Sequence, residues 1–96
     1  MKAYVVVQNT ITDDTMYEAY RKDVLATFAP FGGKIVVRGG NPTIVEGEWS
    51  YKRLILIEFP SRSAAEGWHH SAEYQKILPL RLNSSIGNLI IVDAAE

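Results

Sequence analysis

Residues 51–61 read YKRLILIEFPS. From Arg53 to Phe59 the chain is dominated by isoleucine, leucine and phenylalanine, Pro60 forbids its continuation, and Ser61 is a natural cap for a helix that follows. A strand with one wet face alternates apolar and polar residues. This one does not: Ile55 and Ile57 point one way, Leu54 and Leu56 the other. The same doubling recurs near both ends of the chain. Val5, Val7, Leu89 and Ile91 extend the first set, and Tyr4, Val6, Ile90 and Val92 extend the second. A sheet built from these strands needs cover on both faces.

Working outward from residue 51, the amino-terminal side supplies one strand, one helix and a second strand. Ala3 to Gln8 is a valine-rich run that reads as a buried strand. Thr12 and Asp13 offer helix caps, and Asp14 and Glu18 place negative charge in the first turns. Tyr17, Tyr20, Val24, Phe28 and Phe31 then recur at spacings of three and four, the stripe of a helix with one buried side; Gly32-Gly33 ends it. Lys34 to Arg38 reads as a strand interrupted at Gly39-Gly40-Asn41-Pro42 and resuming at Thr43 to Glu46, with a reversal at Gly47 to Ser50. On the carboxyl-terminal side, Ser61 opens a short helix with Ala64, Ala65 and Trp68 on one face. Ser71 restarts it with Tyr74, Ile77 and Leu78 inward, Pro79 is expected to disturb it, and Asn88 to Asp93 is the last strand.

The order is β-α-β-β-α-β, which predicts an α+β, ferredoxin-like single domain over residues 1–96: a four-stranded antiparallel sheet with helices on one face. The helices suffice for that face alone. Leaving about six apolar side chains of the other face in water forgoes roughly 1.5–3 kcal/mol each. A second copy stacked sheet on sheet through a two-fold axis is the simplest closed solution, so a homodimer through the sheet faces is expected.

Composition narrows the partners. The 96 residues carry a net charge of -1 and a pI near 6.1, with ten scattered Lys and Arg, which gives no basic field for nucleic acid or an anionic membrane. The chain has no cysteine, so disulfides, thiolate chemistry and sulfur-bound zinc are excluded. The amino-terminal apolar stretch is shorter than a signal core of roughly 7–15 residues or a spanning helix of about 20. The expectation is a soluble, cytoplasmic protein.

Several short motifs converge in order: Arg38-Gly39-Gly40, Glu46-Gly47 with Trp49, Arg53 opening the strand that ends Glu58-Phe59-Pro60-Ser61, then Ala65, Trp68, Ser71, Glu73-Tyr74-Gln75 and Arg81. Over nearly its whole length the chain resembles the bacterial family of domain of unknown function 1330 (DUF1330). The resemblance implies a ferredoxin-like fold in the dimeric α+β barrel superfamily and no particular chemistry, since that superfamily spans monooxygenases, haem-binding enzymes and lyases. Asp14 stands where relatives often carry proline, and His69-His70 lies outside the shared pattern.

Among candidate site residues, His69 and His70 are neighbours whose side chains diverge by about 100° on a helix, a poor metal pair. They read as imidazoles at a helix end, with a haem axial ligand as the unsupported alternative. Nor is any Ser-His-Asp arrangement arguable. Counting back from the reversal at Gly47 places Arg38 opposite Glu58, so a cross-strand ion pair is expected, with Glu58 as candidate base beside an anion-binding guanidinium. Arg81 follows the second helix and can reach the same cleft, while Trp68 and Tyr74 anchor helical turns on the sheet and border it. The candidate ligand set is Arg38, Glu58, Trp68, Tyr74 and Arg81, with neither metal nor cofactor. Two readings stay open: binding, with or without transformation, of a small organic anion, or a dimerisation module in which the arginines are structural.

Overall fold

A computed structural model describes residues 1–95. The chain runs β1 (Ala3–Ile11), α1 (Asp14–Phe28), a 3-10 turn (Ala29–Phe31), β2 (Lys34–Gly39), β3 (Arg53–Phe59), α2 (Arg62–His70), α3 (Ala72–Ser84) and β4 (Ser85–Asp93). The strands form one antiparallel sheet in the order β2-β3-β1-β4, the ferredoxin-like arrangement expected from the element order. The described chain measures 36 × 34 × 16 Å.

The two parity sets separate as the sequence predicts. Val5, Val7, Ile55 and Ile57 are buried beneath the helices, whereas Tyr4, Val6, Leu54 and Leu56 on the other face are only half-buried. Ile90 and Val92, on that same helix-free face, are 52% and 38% exposed. The core between sheet and helices is aromatic at its centre. Trp68 packs in tilted geometry against Tyr74, 4.1 Å between ring centroids, and less closely against Phe28 and Phe59, at 5.4 and 5.5 Å. Its indole N–H, which burial obliges to find an acceptor, donates to Thr27 Oγ1 at 2.9 Å.

Asp13 caps α1 by accepting from the Met16 amide, and Ser61 caps α2 by accepting from Ala64. Glycine is required at residue 87, where a Cβ would collide with the Gln8 carbonyl of the neighbouring strand.

Three expectations are corrected. Thr43 to Glu46 is not a strand: Gly39 and Gly40 at φ 76° and 74°, then Asn41 at 42°, turn the chain out of the sheet, and residues 40–52 form an exposed connection. Pro79 does not stop α3, which continues to Ser84. Pro79 and Gln75, whose carbonyl loses its partner, are both exposed, so water can take the place of the missing N–H. Finally, β4 begins at Ser85 rather than Asn88, paired with β1 along its whole length.

β2 carries an irregularity that decides the site. Ile35 lies opposite Ile57, but Val37 lies opposite Leu56, so Val36 is an extra residue in the ladder. Beyond this bulge the alternation is reversed, and Arg38 faces the helices opposite Ile55.

Candidate functional site

A cavity of about 270 Å³ lies between α1 and the sheet. Its floor is apolar, with Val7, Ile35, Ile55 and Ile57 from the strands. Exposed residues Arg21, Leu25 and Arg38 mark its open side, and Tyr20, Trp68 and Arg81, all buried, mark its closed end. Four arginines line it (Arg21, Arg38, Arg53 and Arg81) and no carboxylate or imidazole does. Arg21 pairs with Glu18 at 2.9 Å, but among the described residues no carboxylate pairs with Arg38, Arg53 or Arg81. Of these three, Arg38 is exposed, Arg53 half-buried and Arg81 buried, so water screens the positive field least at Arg81.

Two hydrogen-bonded clusters organise the lining. In the first, Arg53 Nη1 donates to Tyr17 Oη at 3.1 Å, and Arg53 and Arg21 each lie 5.2 Å from the Tyr17 ring centroid. Asn9 Nδ2 also donates to Tyr17 Oη, at 3.3 Å. In the second, Arg81 Nε donates to Tyr74 Oη at 3.2 Å, and the Tyr74 and Tyr20 hydroxyls are 3.1 Å apart. Burial, then the neighbouring Tyr74, raises the Tyr20 pKa far above the ordinary phenol range, so Tyr20 stays protonated.

The residues expected from sequence are thus divided. Arg38 and Arg81 line the cavity together with Trp68, and Tyr74 lies behind its closed end, bonded to Arg81 and packed on Trp68. Glu58 is not with them. It lies on the helix-free face, where Lys34 Nζ at 3.3 Å, Lys2 Nζ at 3.5 Å and the Tyr4 hydroxyl at 3.1 Å surround it. The expected Arg38–Glu58 ion pair is absent because Lys34, not Arg38, stands opposite Glu58, and the bulge at Val36 further turns Arg38 to the other face, opposite Ile55. A base at Glu58 working beside Arg38 therefore has no geometric basis.

His69 packs its ring on Trp68 and Tyr74 and belongs to a separate groove between α2, α3 and β4 that Arg81 also borders. Its pKa is lowered by burial first, then by His70 and Arg81. Among the described residues no group of three or more His, Asp or Glu side chains is placed to hold a metal.

Arg53, Tyr17, Tyr20 and Arg21 were not singled out as site residues from the sequence. Strand parity identifies the first, since Arg53 shares a face with Ile55 and Ile57. The helical stripe of α1 contains both tyrosines.

The family described as Domain of unknown function (DUF1330) matches residues 2–95. The chain belongs to this family. Among solved structures similar to this DUF1330 chain, a protein of unknown function from Rhodopseudomonas palustris is 17% identical, with a TM-score of 0.79 over 99% of this chain and 83% of its own. A dimeric ferredoxin-like protein of unknown function from Jannaschia sp. CCS1 is 15% identical, with a TM-score of 0.68 and full coverage of both chains (100% each). SnoaB from Streptomyces nogalater, described as a cofactor-independent oxygenase, is 12% identical, with a TM-score of 0.68 over 99% of this chain and 94% of its own. At such identities the likeness is one of fold. No functionally curated protein matches the chain. No helix among the described residues is long and apolar enough to cross a membrane.

Proposed function

We propose that this DUF1330 protein is a homodimer, joined through its helix-free sheet faces, that binds a small organic anion in the cavity beneath α1. The observation that carries the binding reading is the lining: four arginines and no carboxylate around apolar walls. A guanidinium buried without an anion is costly, and a bound carboxylate or phenolate supplies the missing charge. This favours a ligand site over an assembly role alone, in which the buried Arg81 would be expected to pair with an acidic side chain. No reaction is assigned, because the lining holds no carboxylate or imidazole to act as general base. The apolar helix-free face and the dimeric Jannaschia neighbour support the assembly.

A thermal-shift screen of small carboxylates and phenolates tests the binding. A ligand at 100 times its Kd adds about 2.7 kcal/mol of stability. Arg38→Met keeps the aliphatic stem and removes the charge, so the same ligand should shift it much less. If no carboxylate or phenolate raises the melting temperature of the wild type, the reading is wrong.

A further inference from the structure

The chain Arg81–Tyr74–Tyr20 has one hydrogen more than its protein acceptors can use. Arg81 Nε can only donate, and it donates to Tyr74 Oη. Between the two phenols, 3.1 Å apart, there is room for one hydrogen. The other phenolic hydrogen finds no acceptor among the described residues. If it sat on Tyr74 it would be sealed in, because Tyr74 is 0% exposed and does not line the cavity. A buried donor without a partner bears its full desolvation penalty. On Tyr20 it meets the cavity, which Tyr20 lines. The favoured order is therefore Arg81 to Tyr74, Tyr74 to Tyr20, and Tyr20 to whatever occupies the cavity, each donor polarised by the one behind it.

Arg81 borders the same closed end, and its terminal nitrogens have no protein acceptor among the described residues. Both polar groups there offer hydrogens and neither offers an acceptor. We propose that the cavity takes a compact apolar carboxylate head first, its oxygens accepting from the Tyr20 hydroxyl and the Arg81 guanidinium while its apolar body lies along Val24, Phe28 and Ile57. This rests on the anion-binding reading and adds the orientation and the residue that sets it. An amine or amidinium meets only donors at the closed end. A phosphate dianion at the closed end meets one guanidinium and one phenol, too little to replace its hydration. A monoanionic carboxylate matches both donors, and a volume of about 270 Å³ admits a single aromatic ring with its acid group.

The test uses the full chain, benzoate as probe and toluene as its uncharged counterpart, followed by amide NMR titration. Benzoate should perturb cavity residues of the wild type, and Tyr20→Phe should weaken it roughly tenfold or more, the effect of losing a hydrogen bond to a charged acceptor. Toluene should bind both proteins equally, which also establishes that the variant is folded. In wild type labelled at tyrosine Cζ, the Tyr20 resonance should move with benzoate and stay still with toluene; this readout holds even if Tyr20→Phe does not fold. Equal benzoate affinity in wild type and Tyr20→Phe, or a Tyr20 resonance indifferent to benzoate that binds elsewhere in the cavity, overturns the orientation and leaves anion binding standing. Benzoate that perturbs no cavity residue of the wild type overturns both.

Discussion

Glu58 shows how a single side chain can be charged, ordered and yet remote from the site. The hydrogen bond from Lys34, followed by those of Tyr4 and the charge of Lys2, lowers its pKa below the ordinary 4.5, against a smaller opposing effect of desolvation. A carboxylate whose folded pKa is depressed contributes stability above its unfolded value, and that stability is lost as pH falls through the folded value. Wild type should therefore be more stable than Glu58→Gln at neutral pH, and the difference should close as pH drops below 4.5. Urea unfolding at a series of pH values checks this; a constant difference down to pH about 3 contradicts it. The mistaken pairing of Glu58 with Arg38 has a definite origin. Counting back from a tight reversal at Gly47 brings Arg38 level with Glu58, but residues 40–52 form a long connection, and the true register sets Lys34 opposite Glu58. Tyr20 was visible as a core residue of α1, but its surplus hydrogen exists only once Tyr74 and Arg81 are beside it.

At the scale of elements, the joint between α2 and α3 depends on Ser71. Its backbone amide and its hydroxyl both donate to the Trp68 carbonyl, at 3.1 and 2.7 Å, ending one helix. Its Oγ also accepts from the Tyr74 amide at 3.2 Å, starting the next. Ser71→Ala should cost about 0.5–2 kcal/mol, and Ser71→Asp, which can still cap α3, should lose less. Denaturant midpoints at unchanged m-value would show it, and equal midpoints for all three proteins would contradict it. Caps, strands and helical stripes were legible because each is written in residues close in sequence. The continuation of α3 through Pro79 was not, because solvation of the freed carbonyl depends on which side of the helix faces water. Likewise the segment Thr43 to Glu46 has strand-forming residues, yet three successive positive φ values just before it carry the chain away from any partner strand.

The whole molecule has one face that its own helices never reach. Leu56 and Ile57 are adjacent but opposite: Leu56 is half-buried on the helix-free face, and Ile57 is 4% exposed in the core. Ile57→Lys should abolish folding. Leu56→Lys should leave a folded chain and cost the proposed dimer several kcal/mol, since its charge would be buried there without a partner. Light scattering at micromolar concentration, with circular dichroism as the folding control, distinguishes them. A folded monomeric wild type would refute an interface of standard size, about 1,600 Å² in total. The two-faced pattern was legible in the sequence because strand parity survives any uncertainty about loops.

The thin dimension of the chain, 16 Å against 36 and 34 Å, has a hydrodynamic meaning. A lone copy is a slab, and it rotates at different rates about its short axis and about the other two. Doubling the thin dimension nearly matches the remaining pair, so two copies laid face to face approach a body of equal axes. Such a body tumbles with a single correlation time, and the spread of rotational rates along the backbone becomes a reporter of shape that needs neither a ligand nor a substitution.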